Sequence, residues 1–447
     1  MSARYLAYKI LFDIEVNGNY SNMALNKYLN EAGLDDQDKG FVTELVYGII
    51  EKKRYLDYMI NKVSKIKVRK MQHPVKLVLR MGVYQLVYMD GVTDYAAINE
   101  SVNIMKKLDK RSASFVNAVL RNISRNLDEV KDISLNTVDK LAIYYSYENW
   151  IVENLVKEYG FERTEAILRA LSQKPNIYLR VNRTKLRPGQ SMDYLVGQII
   201  GRLIDQGLEA SRVEGLEEAI KVKGLKSIYK HPLFREGYVS VQDISSILVA
   251  KVMDPKRESR VLDLCAAPGG KSTHIGELME NTGHLISQDI FDHKIKLMNT
   301  YARRLGLNNM EARLGDALVL NDDYIGKFDY VLCDVPCSGM GIVRRKPEIK
   351  YKKEEEVENL PDLQYQILEN ASSYLKEGGI LIYSTCTIFK QENTDVVDRF
   401  LNNHKDFDLD DLGPIKEFLG IGDKGLVKIL PDRYEMDGFF ICRMKKI

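Results

Sequence analysis

The stretch Arg260-Val261-Leu262-Asp263-Leu264-Cys265-Ala266-Ala267-Pro268-Gly269-Gly270-Lys271-Ser272 decides the fold. Its first half, RVLDLC (260–265), is a short apolar run of strand type. From Ser272 to Glu280 the pattern turns helical. Small residues and two glycines join the two, so backbone can come close to a ligand in the crevice beyond the strand's carboxyl end. Three readings compete at this turn. A phosphate-cradling loop has the form G-x-x-x-x-G-K-[ST]; Gly270-Lys271-Ser272 fits its end, but Cys265 stands where the first glycine belongs. Pro268 also removes one backbone N–H that would hold phosphate. The dinucleotide pattern G-x-G-x-x-G is not present. The third reading is a tight turn with no ligand, and the strand ends downstream weigh against it.

Outward from this turn, further strands are expected at HLISQD (284–289), MEARLG (310–315), FDYVLCD (328–334), GILIYST (379–385) and GFFICRM (438–444). Helices are expected between them, at Ser272 to Glu280, His293 to Leu305 and Leu363 to Leu375. Such alternation predicts a mainly parallel sheet with helices on both faces, its ligands bound at the carboxyl strand ends. Acids stand at three successive ends: Asp289, Asp316 and Asp334. One acid after a strand is usually a cap or turn former. Three in series point to a nucleoside-like ligand: Asp289 for ribose hydroxyls, Asp316 for the exocyclic amine of an adenine. Two cysteines also follow strand ends, in Asp334-Val335-Pro336-Cys337-Ser338-Gly339 and Tyr383-Ser384-Thr385-Cys386-Thr387. Cys333 and Cys442 lie inside strand runs and read as small core hydrophobes.

Upstream the character changes. Leu6, Ile10 and Ile14 repeat at spacing four. Phe41, Val42, Leu45, Val46 and Ile49, then Ala97, Ser101, Val102 and Met105, keep helical spacing. Residues 1–130 are therefore expected to form an all-α domain of six or seven helices. Residues 131–235 read as a small α+β connector, with a strand in IYLRVN (177–182), a loop from Lys185 to Gln190 and a helix from Met192 to Gln206. Residues 236–447 are expected to form the α/β domain. KYKKEEEVEN (350–359) reads as an exposed linker.

The chain's 447 residues carry a net charge of +2, unevenly spread. Residues 1–130 hold 20 basic and 15 acidic side chains, and the remainder 45 and 48. Between 52 and 80 there are ten basic residues (Lys52, Lys53, Arg54, Lys62, Lys65, Lys67, Arg69, Lys70, Lys76, Arg80) against Asp57 alone. Clustered positive charge is the footprint of a polyanion partner, unless it is only a solvated helix face. A second cluster, Arg344, Arg345, Lys346, Lys350, Lys352 and Lys353, follows Cys337 closely. The five cysteines are odd in number and form no CxxC pair, which disfavours a disulfide framework or a zinc module; no metal is expected. No apolar run is long enough to span a membrane and MSARYLAYKI lacks a signal-peptide core, so a cytoplasmic protein with no membrane partner is expected.

The motifs LDLCAAPGGKST, DVPCSGMGIVRRKP and YSTCT resemble the signatures of the Sun/Fmu (Nol/Nop/Sun) RNA cytosine-5 methyltransferases. GYVSVQDISS (237–246) and DGFFICRMKK (437–446) are similar to the flanking motifs of that family, and residues 1–130 resemble the NusB RNA-binding domain. The resemblance covers nearly the whole chain. It implies a Rossmann-like catalytic domain, a NusB-like bundle, and methyl transfer from S-adenosylmethionine to a cytosine of 16S ribosomal RNA. The RNA would be met naked or in a small-subunit assembly intermediate, and the enzyme is expected to act as a monomer. It assigns the cofactor to Cys265, Ala266, Ala267, Pro268, Gly269, Gly270 and Lys271 with Asp289, Asp316 and Asp334. Cys386 matches the family nucleophile and Cys337 the cysteine needed for product release. Thr387 departs from the serine usual after the nucleophile.

The chemistry explains the residue types. Carbon 5 of cytosine is a poor nucleophile; a thiolate adding to carbon 6 makes it enamine-like, which is covalent catalysis. A free thiol, with a pKa of about 8.5, is only a few per cent ionised at neutral pH, so the site must assist it. Asp334 is placed to hydrogen-bond the base, and Lys271 to steady the base or its phosphate. Two other readings stay open: another RNA, such as transfer RNA, or a non-catalytic RNA-binding assembly factor.

Overall fold

The structure, a computed structural model, describes residues 2–225, 228–413, 415–420 and 425–447. The chain divides into two compact units: Met1–Ser172 with Arg345–Lys353, and Gln173–Arg344 with Glu354–Ile447.

The first unit is helical. Ala3–Asn17, Ser21–Glu31, Asp36–Val63, His73–Tyr88, Asp94–Leu108, Ala113–Arg125 and Leu127–Lys131 give seven α-helices among the described residues to position 131. The ends are set locally: Ser2, Asp35 and Thr93 accept hydrogen bonds from backbone N–H groups three residues on, as N-caps do. Pro74 occupies the first turn of its helix, where its missing N–H costs nothing, so it starts that helix and interrupts none. Leu6, Ile10, Val42, Leu45, Val46, Ile49, Ala97 and Met105 all lie in one apolar core, as their spacing predicts. The expected boundary at 130 falls inside a helix, and Val130 belongs to the same core. Helices continue through Val138–Tyr145, Asn149–Tyr159 and Phe161–Ala170.

The second unit holds two sheets. The smaller comprises β1 (Ile177–Val181), β2 (Glu209–Val213), β3 (Leu216–Lys223) and β4 (Val239–Val241), antiparallel in the order β2-β3-β1-β4. The helix Met192–Ile204 packs on it through Leu195, Val196, Ile199 and Leu203. The larger comprises β5 (Arg260–Asp263), β6 (His284–Asp289), β7 (Met310–Leu314), β8 (Phe328–Asp334), β9 (Leu375–Thr385), β10 (Phe407–Leu409), β11 (Leu426–Ile429) and β12 (Phe439–Lys446). Its order is β10-β12-β9-β8-β5-β6-β7, with β11 on β12. β5 to β9 pair in parallel; β12 returns antiparallel to β9.

Alternation along these strands builds two cores. Val261, Leu285, Leu332, Ile382 and Ile441 face the helix Ile244–Met253. Their neighbours Leu262, Ile286, Cys333, Leu381 and Cys442 face the helices Leu360–Tyr374 and Thr394–Asn403. Buried on both faces, the strands read as continuous apolar runs, which is the signature of a parallel sheet. The chain leaves β5 toward β6 and β7, then crosses back to β8 and β9 on the other side of β5. The crevice therefore opens beyond the ends of β5 and β8.

Candidate active site

The turn after β5 is held by its own backbone. Ala266 N donates to Gln288 O, and Gly269 N to Ala266 O. Gly269 has φ +100°, a conformation that favours glycine, and it starts the helix Gly270–Leu278. Lys271 thus projects from the first turn of that helix. Its Nζ donates to Asp334 Oδ2 at 2.5 Å, and Ser384 Oγ donates to Asp334 Oδ1 at 2.8 Å. Burial pulls the Lys271 pKa down, but the charge and hydrogen bond of Asp334, with Cys386 and Asp263 adding to them, together outweigh it and the net shift is upward. Lys271 is held as a cation, stacked 5.0 Å from the Phe439 ring.

Asp334 and Ser384 are register partners on β8 and β9. Cys337 lies just past β8 and Cys386 directly past β9, so adjacent parallel strands deliver two cysteines to one place. Their sulfurs are 3.1 Å apart. The loops that carry them are joined by Gly341 N donating to Cys386 O at 2.9 Å, and by the Ser338 and Thr387 hydroxyls 2.8 Å apart. The threonine at 387 supplies the hydroxyl that this bond needs. At Gly341 a Cβ would sit 1.9 Å from Gly438 O, so only glycine lets the loop close. The hydrogen bond to Cys386, then burial, then nearby charge including Glu392, raise the Cys337 pKa well above that of a free thiol. Cys337 is held protonated.

On the other side of β5, Asp289 ends β6, buried, its Oδ1 accepting from Phe291 N at 3.2 Å and Lys294 nearby. Asp316 follows β7, exposed, with Oδ1 accepting from Leu318 N at 2.9 Å. Cys265 is a half-buried thiol raised far above its usual pKa, by burial first and then by Cys333 and neighbouring carboxylates. It lines the turn as a neutral side chain. Cys333 and Cys442 are core residues, as their positions inside strands predict.

Several residues of the site carry no clear mark in the sequence. Asp263, at the end of β5, is fully buried, accepts from Ser272 Oγ at 2.6 Å, and has a pKa that burial pushes up to about 7. Arg180 on β1 is wholly buried and reaches the turn after β5: it donates to Gly270 O at 2.8 Å and pairs with Glu277 at 2.7 Å. Ser384, Gln364 and Glu392 complete the surroundings of the cysteines. Of these, only Ser384 has a sequence signal, its position within Ser-Thr-Cys.

Two sequence expectations are corrected. Within the second basic cluster, Arg344 pairs with Asp437 at 3.0 Å, both almost inaccessible, and Lys350 is wholly buried. Neither is free to hold phosphate. The 350–359 stretch is likewise not simply an exposed linker, because its start packs within the helical unit: Lys350 Nζ donates to Tyr145 O, and Tyr351 Oη to Ile50 O. In the first cluster Arg80 is buried in a two-pronged bond to Asp57 and a further bond to Glu15. Lys65, Lys67, Arg69 and Lys70 remain exposed, and Lys67 and Arg69 line an open pocket of about 390 Å³ with Lys76 and Asn61. No helix among the described residues is long and apolar enough to cross a membrane. No group of metal-ligating side chains occurs among them.

A parallel sheet with this crossover, a glycine turn after its first strand and acids at successive strand ends defines an α/β methyltransferase fold. Residues 250–445 match the family described as 16S rRNA methyltransferase RsmB/F. Residues 1–125 match the NusB family, and residues 147–228 the ferredoxin-like domain of RsmF/B-like methyltransferases. A probable ribosomal RNA small subunit methyltransferase B of Bacillus subtilis is 40% identical over 100% of this chain and 99% of its own length. The ribosomal RNA small subunit methyltransferase B of Shewanella oneidensis is 32% identical, covering 100% and 99%. Among solved structures, a methyltransferase homolog from Pyrococcus horikoshii superposes with a TM-score of 0.59 at 26% identity, covering 70% of this chain and 100% of that one. The chain belongs to the RsmB/F family of 16S rRNA methyltransferases.

Proposed function

We propose that this protein transfers a methyl group from S-adenosylmethionine to carbon 5 of one cytosine in 16S ribosomal RNA, through a covalent bond between Cys386 and the base. The single observation that carries this reading is the pair of cysteine sulfurs 3.1 Å apart at the ends of adjacent parallel strands, beside the Lys271–Asp334 ion pair. One thiol serves a simple core; two in contact at a strand-end crevice suit a two-stage covalent reaction.

The residues present fit the cofactor. Asp289 presents a carboxylate for ribose hydroxyls, and Asp316 one for an adenine amine. The turn Cys265–Lys271 offers small residues and backbone against which the rest would lie. When bound, S-adenosylmethionine supplies an electrophilic methyl group.

The chain's own residues do the remainder. The Cys386 sulfur attacks carbon 6, and Lys271, within electrostatic reach of it, favours the thiolate. Asp334, an acceptor held by Lys271 and Ser384, hydrogen-bonds the cytosine amine. Once carbon 5 carries the methyl group its proton must leave and the Cys386 bond must break. Cys337, beside Cys386, assists that release. The target base must first leave its stack, at a cost of a few kcal/mol. The exposed lysines and Arg69 of the helical unit supply phosphate contacts for the surrounding RNA.

Bisulfite sequencing of ribosomal RNA from cells with and without the gene tests this reading. One cytosine of 16S RNA should lose its protection in the deletion strain and regain it with the wild-type gene. No change in 16S RNA, with a change in transfer RNA, would move the target. No change in either would favour a non-catalytic assembly role.

A further inference from the structure

One buried carboxylate next to the cysteines has no part in the chemistry above. Glu392 lies in a short helical turn six residues after Cys386 and is 1% exposed. Its Oε2 accepts from Ser338 N at 2.8 Å, the amide directly after Cys337. The same oxygen accepts from Gln364 Nε2 at 3.0 Å, and that amide also donates to Pro336 O at 2.9 Å, the carbonyl directly before Cys337. Tyr383 Oη closes the ring, donating to Glu392 O at 2.6 Å. Both sides of Cys337 are therefore fixed from one carboxyl group, whose pKa burial raises while the hydrogen bonds from Ser338 and Gln364 oppose that rise.

The two thiols meet opposite fields. Cys386 lies within electrostatic reach of the Lys271 ammonium. Cys337 lies within reach of the Glu392 carboxylate. Asp334, bound to Lys271, and the phenol of Tyr383, which burial keeps neutral, also lie around the pair. A pair of thiols 3.1 Å apart loses its first proton as a unit, and the surrounding charges decide which sulfur carries the negative charge.

We propose that Glu392 is a positioning residue that both fixes the Cys337 loop and biases the proton shared by the two cysteines onto Cys337, leaving Cys386 as the nucleophilic thiolate. The assignment rests on Cys386 being the nucleophile, and it explains how two neighbouring cysteines of the same chemistry take different roles. Cys337 stays a thiol, available as an S–H donor to its partner, because a negative charge there would face Glu392.

Iodoacetamide labelling of the folded full chain across pH 6 to 10, with each cysteine peptide quantified by mass spectrometry, tests this. In the wild type, Cys386 should label at lower pH than Cys337. In Glu392→Gln, which keeps the shape and removes the charge, the Cys386-to-Cys337 labelling ratio near neutral pH should fall about tenfold for each pH unit by which their apparent pKa values converge. Glu392→Asp keeps the charge and should hold the ratio near the wild-type value. Cys337 labelling first in the wild type would overturn the proposal without any variant. So would an unchanged ratio in a folded Glu392→Gln, or an equal change in the Asp and Gln variants, which would mark a purely structural effect. The readout needs no RNA, so it stands apart from the nucleophile assignment: methyl transfer surviving in Cys386→Ala would sink that assignment and leave the labelling ratios as measured.

Discussion

Cys337 and Cys386, 49 residues apart in sequence, place their sulfurs 3.1 Å apart, because β8 and β9 are adjacent parallel strands that end at the same level. Their positions are not equivalent. Cys386 directly follows a strand and lies near Lys271; Cys337 sits on a loop clamped by Ser338, Gln364 and Glu392.

This asymmetry predicts distinct phenotypes. Cys386→Ala should reduce methyl transfer by a factor on the order of 10³ or more, as loss of a covalent nucleophile does. Cofactor affinity should be nearly unchanged, since the turn Cys265–Lys271 is held by its own backbone bonds. Single-turnover transfer with radiolabelled cofactor and a calorimetric affinity make the check. Turnover near the wild-type rate would remove Cys386 from the nucleophile's role.

Cys337→Ala should fail at the other end of the reaction. Addition and methyl transfer should proceed, while release of Cys386 from the base should slow until protein–RNA adduct accumulates. A denaturing gel with labelled RNA should show a slow-migrating band that needs Cys386 and disappears in the double variant. No such band would count against Cys337 in release.

Four exposed cations, Lys65, Lys67, Arg69 and Lys70, are expected to meet RNA phosphates, whereas Arg80 is occupied by Asp57 and Glu15. Reversing the four charges should weaken RNA binding and flatten its dependence on salt, by up to about 0.9 in log–log slope for each lost phosphate contact. An unchanged slope would leave that stretch as a solvated surface.

How much of this is legible in the sequence follows from where each residue gets its environment. β6 and β8 have the very bounds their apolar runs predict, because a strand buried on both faces has no alternative to being apolar. β2 and β3 escape such a reading. EASRV and LEEAIKVK interleave charge with small or β-branched residues: β2 is a largely exposed edge strand, and β3 buries a charged side chain, Glu218, among its apolar ones. The cysteines and strand-end acids are legible because the chemistry restricts the residue type. Glu392 and Arg180 are not. Within KQEN and IYLRV they look like ordinary surface charges, and only tertiary contacts to Ser338 N and Gly270 O reveal them as buried. Lys350 is hidden for the same reason, in a run of charge that resembles a linker.

Lys350 yields the last prediction. Its ammonium is wholly buried in the helical unit, 4.8 Å from the Tyr147 ring and bonded to the carbonyls of Tyr145 and Glu51. Burial lowers its pKa from 10.5 to about 7, with Glu51 opposing and Lys52 reinforcing that change. Between these two values the unfolded chain holds a proton that the folded one lacks, so stability of this unit rises with pH across the window from about 7 to 10.5. Below pH 7 both states are protonated and the cost of the buried charge is fully expressed. A tenfold change in proton affinity is worth about 1.4 kcal/mol, so the effect across the window is on the order of a few kcal/mol. Lys350→Met should therefore stabilise the protein most at pH 6 to 7, flatten the rise toward pH 10, and lose its advantage once the wild-type amine is neutral and still bonded to its carbonyls. Urea unfolding of both proteins at several pH values makes the comparison, and parallel curves for wild type and variant would show that Lys350 holds its proton in the folded state.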